Sequence, residues 1–517
     1  MATIYYGSVI NPKTLTDYDA LPRCLIAVTA TGNIDWIVED VVDSMVQETI
    51  AQHGLTDDTC VVTLKPGEFI MPGFIDTHTH AVQVPNLGIG GEFELLDWLN
   101  NYTFPTESRF ESVDYAKRSY PDIVRRVINS GTTTCCYYGS LHLTATKVLA
   151  DVVHEYGQRA FVGRCNMNWH GHSPDYYVEK DADESMENTV KIIDHIRSLP
   201  HSSAGEPLVH PILTPRFAMS CTPDLLVRLG EYAAEDQGLV IQTHISENKA
   251  EVEKTLELFK CDSYAGVYDR YKLLRHNTIL GHGVHLTEHE MRLIHKRGAG
   301  VSHCPTSNFY LSSGMARVGM LLDHGVKVGL GTDVAGGYSP SILSAIQHAS
   351  IASKMLAIQD PSGEKCSHGH HGHHGHGEHC QQGAAEHHEH GGHEHGGHGH
   401  GGHHNIGEFT NQKLSIATLL YLATLGGAEL CCLKDRIGSF KEGKAFDALL
   451  VSIRDETGNP AIWGFNPGRD VDGHTSHEIP RDPLKEGLER FLFCGDDRNI
   501  RRVIVQGKVI GGQELKL

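Results

Sequence analysis

From about residue 70 onward, short apolar or β-branched runs alternate with stretches whose apolar residues recur at helical spacing. The runs are Phe69 to His80, Thr132 to Tyr138, Ala160 to Cys165, Val209 to Arg216, Leu239 to His244, Thr278 to His282, Gly300 to Cys304 and Val326 to Asp333. Strands that alternate with helices predict parallel pairing through crossovers. The helices carry their own punctuation. Thr222-Pro223 supplies an N-cap and a first-turn proline, and Gly238 follows that helix. Thr287 with Glu290 reads as a capping box, and Gly298 as the stop. Eight such units in roughly 290 residues fit a closed (β/α)₈ TIM-type barrel better than an open sheet. An open doubly wound sheet stays compatible with the pattern alone.

The two ends of the chain have a different rhythm. Short strands are expected at Ile4 to Val9, Cys24 to Val28, Ile34 to Val38 and Cys60 to Leu64, then at Ala448 to Val451 and Val503 to Val509. They predict one small β-sandwich domain built from both termini, residues 1–69 and 437–517, with the barrel inserted between as residues 70–366 and the helices of 405–436. Residues 367–404, Ser367 to His404, fit neither part. This tract is mostly histidine and glycine, with too little apolar surface to fold alone, and reads as a disordered insertion. It is expected to chelate divalent metal weakly at interchangeable sites, or to serve as a solvated spacer.

Composition narrows the partners. The 517 residues carry a formal charge of -20, which repels phosphate backbones and anionic lipid heads, so neither nucleic acid nor membrane is expected. No apolar run reaches the ~20 residues of a membrane span. The start, Met1-Ala2-Thr3-Ile4, lacks a secretory pattern, which points to the cytoplasm. In that reducing compartment the 13 cysteines should be mostly free thiols.

Candidate chemistry gathers at the strand ends. In Asp76-Thr77-His78-Thr79-His80 the two histidines are i and i+2 on a strand, so both face the same side, as half of a zinc site would require. Among 37 histidines one such pair has moderate weight. His244, His282 and Asp333 each close a further predicted strand. Four strands thus offer metal-type ligands at their carboxyl ends, where barrel active sites lie. Any one of the five could be an ordinary buried histidine or an N-cap aspartate; all five together are hard to explain that way.

With these motifs, and with Leu95-Leu96-Asp97-Trp98-Leu99, Tyr102-Thr103-Phe104-Pro105, Thr214-Pro215-Arg216-Phe217, His244-Ile245-Ser246-Glu247, His303-Cys304-Pro305-Thr306-Ser307-Asn308 and Gly331-Thr332-Asp333, the chain resembles the amidohydrolase superfamily and, within it, the guanine deaminases. The likeness runs through Gly495 to Ile500 and departs only at the histidine tract. It implies a homodimeric cytosolic enzyme that converts guanine and water to xanthine and ammonia. By the resemblance His78, His80, His244 and Asp333 bind zinc, and His282 is either a further ligand or holds the metal-bound water. Gln83, Arg216 and Phe217 match purine-contacting positions, and Glu247 matches a proton shuttle. Some binuclear relatives bridge two metals with a strand-four lysine; here that strand, Leu208 to Arg216, has none, so one zinc per subunit is expected.

The residue types agree with that chemistry. Zinc brings the pKa of water to about 7 in catalytic sites. Glu247, three residues past His244, can carry a proton to the ring and the leaving amine, although a carboxylate near a helix start has an ordinary reason too. Asp333 can ligate metal and accept a proton. Arg216 offers paired donors for the O6 and N7 edge of guanine. Phe217 could stack on a purine or simply pack the barrel mouth, and Trp98 could be pocket wall or helix packing. Two alternatives share these residues: another ring aminohydrolase, acting on cytosine, a triazine or an adenosine derivative, and a metal-binding scaffold acting through the histidine tract.

Overall fold

The computed structural model describes residues 2–55, 59–359, 407–466 and 482–515. The histidine tract, and the expected divisions at its two ends, lie outside them. Eight parallel strands follow in chain order: β1 (Phe74–His80), β2 (Thr132–Tyr138), β3 (Arg159–Gly163), β4 (Val209–Pro215), β5 (Val240–Ile245), β6 (Thr278–His282), β7 (Gly300–His303) and β8 (Lys327–Leu330). Each bonds to the next. The ring is completed beyond the last strand, where Asp333 N–H donates to the His78 carbonyl at 2.8 Å and His80 N–H donates to the Val334 carbonyl at 3.0 Å. This is a TIM-type barrel, not an open sheet.

The barrel is filled, as side chains alternating along each strand require. Ile75, Cys136, Phe161, Ile212, Val240 and Ile279, one from each of the first six strands, meet Ala428 and Leu430 in a buried apolar plug. Outside, the helices seat Leu149, Ile193, Leu229 and Ile294 against the strands. The helix punctuation follows the sequence. Thr222 accepts from Leu225 N–H, the Thr287–Glu290 capping box is formed, and Gly298 ends its helix at φ +71°, a conformation that suits glycine.

Two runs divide where one strand was expected. Phe69 to His80 splits at Gly73 into Glu68–Pro72 and β1, and the two halves join different sheets. A Cβ on Gly73 would come within 2.1 Å of the Thr133 side chain, so a bulkier residue could not make this crossing. Val503 to Val509 is a hairpin instead of one strand, with Ile500–Val505 antiparallel to Lys508–Gly511.

The expected terminal domain takes the form of one continuously bonded, mostly antiparallel sheet. Its order is 508–511, 500–505, 448–452, 68–72, 3–12, 18–28, 34–39, with 60–63 also on 3–12. Alternation gives both faces apolar cover. Ile4, Tyr6 and Leu25 pack under the helix Val46–Gln52, whereas Tyr5, Ile26, Phe446 and Ile504 form a second core. Buried polar groups tie this sheet to the barrel. Arg159 of β3 donates to Asp447 at 2.9 Å and to Gln506 at 3.0 Å.

Candidate active site

At the carboxyl end of the barrel, β1 carries His78 and His80 where its register shifts between Asp76 and Thr79, and Thr77 bonds Ser302 and the Leu330 carbonyl. His244 is the penultimate residue of β5, His282 ends β6, and Asp333 follows β8. One ligand atom from each of His78, His244, His282 and Asp333 lies within 4.8 Å of the others. Asp333 Oδ1 is 3.2 Å from His78 Nε2 and 3.5 Å from His80 Nε2. His80 Nε2 in turn lies 3.1 Å from His244 Nε2. His282 and Asp333 hold left-handed backbone, φ +74° and +45°, and such conformations persist where packing over-determines them, often at functional sites.

This donor set fits a metal ion. Nε2 of His78 and of His282 are buried with no hydrogen-bond partner, which would be costly unless something else satisfied them. Nδ1 of His244 lies 2.6 Å from the Arg216 carbonyl and Nδ1 of His282 lies 3.0 Å from Asn308 Oδ1. Each contact places the proton on Nδ1 and leaves Nε2 free to ligate. Burial, with neighbouring positive groups, holds His80 and His244 well below the usual histidine range, and burial takes His282 to about 4. Neutral imidazoles are what zinc requires. Burial alone would raise Asp333, but His282 and His78 outweigh it and keep the carboxylate below its ordinary value.

Glu247 sits two residues past β5, with Oε2 3.3 Å from His282 Nε2 and Oε1 unpartnered. Burial, then the negative charges of Asp333 and Glu251, push its carboxyl well above the ordinary range.

A small, narrow cavity opens on this cluster. His80, His244, Glu247 and Asp333 line one part, and Gln83, Arg216 and Phe217 another. Leu95, Trp98, Leu99 and Leu311 supply apolar wall. Trp98 is part of the pocket wall, and its indole N–H donates to the Ile89 carbonyl at 3.0 Å. Phe217 stacks on the His244 ring at 4.4 Å. Of the sequence-predicted residues, His78 and His282 are the two that stand outside the cavity lining, within the ligand cluster.

The Amidohydrolase family model matches residues 69–367 and 402–510. The chain belongs to the amidohydrolase family. A probable guanine deaminase of Schizosaccharomyces pombe is 40% identical over 99% of this amidohydrolase and 84% of its own length. The guanine deaminase of Dictyostelium discoideum is 36% identical over 98% of both chains. Among solved structures, the guanine deaminase from C. acetobutylicum with bound guanine superposes with a TM-score of 0.77 at 30% identity, covering 98% of this chain and all of that one.

Three buried polar residues of this amidohydrolase site escape a reading of the sequence. Glu107 accepts from Arg216 at 2.6 Å and from Gln83 at 2.8 Å. Asn308 orients His282. Asp76 accepts from the Thr332 hydroxyl at 2.5 Å and its N–H at 3.0 Å, which pins the turn that carries Asp333. Glu107 lies in a first helical turn, where acidic residues are common for electrostatic reasons, so nothing local marks it. Asn308 and Asp76 stand inside motifs that resemble the family, and only their hydrogen bonds disclose a role.

Proposed function

We propose that this chain deaminates guanine hydrolytically, giving xanthine and ammonia, with one zinc ion per subunit. The observation that carries the reading is the single cavity in which Arg216 and Gln83 are shared with Glu247, Asp333 and the imidazole cluster. The names of the relatives, and the guanine bound in the C. acetobutylicum neighbour, support the same substrate. We assign the zinc to His78, His80, His244, His282 and Asp333; His282 joins the ligands because its Nε2 belongs to the close group while Asn308 holds its other nitrogen. When bound, zinc acts as a Lewis acid that makes water nucleophilic near neutral pH.

The chain's own groups do the rest. Arg216 donates to the O6 edge of the purine and sets C2 toward the ligand cluster. Asp333, held as a carboxylate, accepts a proton from the attacking water. Glu247 in its neutral form gives its proton to ring N3, which activates C2, and takes the second proton of the added water. It then protonates the leaving amino group, so that water ends as the new C2 oxygen and ammonia departs, and the proton held by Asp333 returns to Glu247 to reset the site. Proton transfer by a placed side chain is worth typically ~10²- to 10⁴-fold. Apolar cover from Leu95, Leu99 and Leu311 limits bulk water and strengthens each of these interactions. The family resemblance further supports a homodimer that works in the cytosol; no helix among the described residues is long and apolar enough to cross a membrane.

An ultraviolet assay with guanine, adenine and cytosine, run with and without a chelator beside metal analysis, tests the proposal. Guanine should be preferred, because the amino group of adenine would leave Arg216 unpaired, and a site built to hydrogen-bond a group rejects analogues that lack it. Faster turnover of adenine or cytosine would move the chain to another ring aminohydrolase activity.

A further inference from the structure

We infer that Glu107 is a specificity-determining positioning residue, which makes the Arg216 and Gln83 edge of the purine pocket a donor-only surface by holding both residues from behind. The inference rests on the guanine reading above and deepens it.

Glu107 is fully buried, on the helix Phe104–Ser108, and stands outside the cavity lining. Both of its carboxylate oxygens are taken by groups that do line the cavity: Oε2 accepts from Arg216 at 2.6 Å, and Oε1 accepts from Gln83 Nε2 at 2.8 Å. The far side of Gln83 is equally constrained, because its Oε1 accepts the Ala335 N–H at 3.1 Å. A carboxylate can only accept and a backbone N–H can only donate. The two contacts together therefore settle which end of the Gln83 amide is oxygen and which is nitrogen. Turning the amide over would set oxygen against carboxylate and N–H against N–H.

Arg216 is held as firmly. Its guanidinium lies 5.1 Å from the Phe104 ring and 5.9 Å from the Phe217 ring, and its Nε is buried with no partner. Once Glu107 has engaged one terminal nitrogen, Arg216 keeps further donors for a ligand, and Gln83 keeps its second amide N–H. Neither retains a reason to present an acceptor. A purine with a carbonyl at position 6 satisfies this surface, and one with an amino group there opposes donor to donor. Discrimination at position 6 is thus set one residue behind the pocket wall.

Replacing Glu107 by glutamine keeps the shape and breaks this logic. The new amide can donate as well as accept, so Gln83 becomes free to turn over, and Arg216 loses the counter-ion that aims it. The test compares wild type, Glu107→Gln and Glu107→Asp on guanine and on 2,6-diaminopurine, which keeps the 2-amino group and carries an amino group in place of O6. Turnover of guanine and inhibition of that turnover by 2,6-diaminopurine are both measured. For Glu107→Gln, kcat/KM on guanine should fall about 10²-fold, chiefly through KM, as loss of binding that precedes chemistry predicts. The preference for guanine over 2,6-diaminopurine should narrow by at least about tenfold, since the repelling arrangement is lost. Glu107→Asp keeps the acceptor-only chemistry and should retain most of the preference while raising KM. Equal losses on both purines, or an unchanged preference in Glu107→Gln, would overturn the inference. Should Glu107→Gln fail to fold, Glu107→Asp decides alone: a preference that narrows as KM rises would refute acceptor-only control. Wild type inactive on guanine would instead sink the underlying reading.

Discussion

Replacing Glu247 by glutamine separates proton transfer from metal binding. Burial, then the charges of Asp333 and Glu251, push the buried carboxyl upward and favour its neutral form. A neutral amide of the same shape therefore resembles the resting state, and Asp333 and the imidazoles keep their places. What is lost is the capacity to give up and regain a proton. The expected decrease in kcat is ~10²- to 10⁴-fold, about 2.7–5.4 kcal/mol of barrier. The upper part of that range is the better expectation here. Among the described residues Asp333 is the one other carboxyl lining the cavity, and it lies 3.2 Å from His78 and 3.7 Å from His282 within the cluster. Loss of guanine absorbance gives kcat, ammonia release confirms the reaction, and elemental analysis gives zinc per chain. Zinc should stay at the wild-type level in Glu247→Gln, whereas Asp333→Ala should lower metal content and activity together. A Glu247→Gln enzyme loaded with zinc and turning over within about threefold of wild type would refute the proton-carrying role.

Two stability predictions follow from buried groups away from the cavity. Asp447→Ala leaves the guanidinium of Arg159, 1% exposed, without its carboxylate, and should cost about 3–5 kcal/mol in denaturant unfolding; a loss below about 1 kcal/mol would show that the pair is not a main tie between sheet and barrel. Glu251 is fully buried, and burial raises its carboxyl from 4.5 to about 7 against hydrogen bonds from Tyr264 and the N–H groups of Asn248 and Glu247. Its folded form therefore binds a proton that the unfolded chain has released, so its contribution to stability is complete below about pH 4.5 and is lost as pH rises toward about 7. Against wild type, Glu251→Gln should gain melting temperature progressively across that window, and parallel pH profiles of the two proteins would contradict the assignment.

The barrel was legible because its strands are buried on both sides and its helices are amphipathic, a contrast that survives in one sequence. The residues that gather at the barrel mouth were legible for a related reason: His78 and His80 share a strand parity, and His244, His282 and Asp333 each close an apolar run. What escaped depends on distant pairing. Glu107 meets Arg216 across 109 residues, and no local pattern distinguishes it from an acidic residue that favours a helix start. The break at Gly73 escaped because β-type sequence continues on both sides, and only the Thr133 side chain requires the glycine. The hairpin after Val505 was hidden by the short turn Gln506-Gly507 inside an otherwise β-branched run.

The seam of the barrel and the ligand cluster occupy the same few residues, since the bonds that join Asp333 and Val334 to His78 and His80 close the ring. This has a consequence for biosynthesis. A chain emerging from the ribosome exposes its first two imidazole ligands early, but Thr332 lies 256 residues downstream of its partner Asp76. Until that last segment is made and docks, the carboxylate is missing and the mouth of the barrel is open. Closure of the barrel and assembly of the His78, His244, His282 and Asp333 group thus depend on the same late-made segment, and a chain cut before Thr332 lacks both.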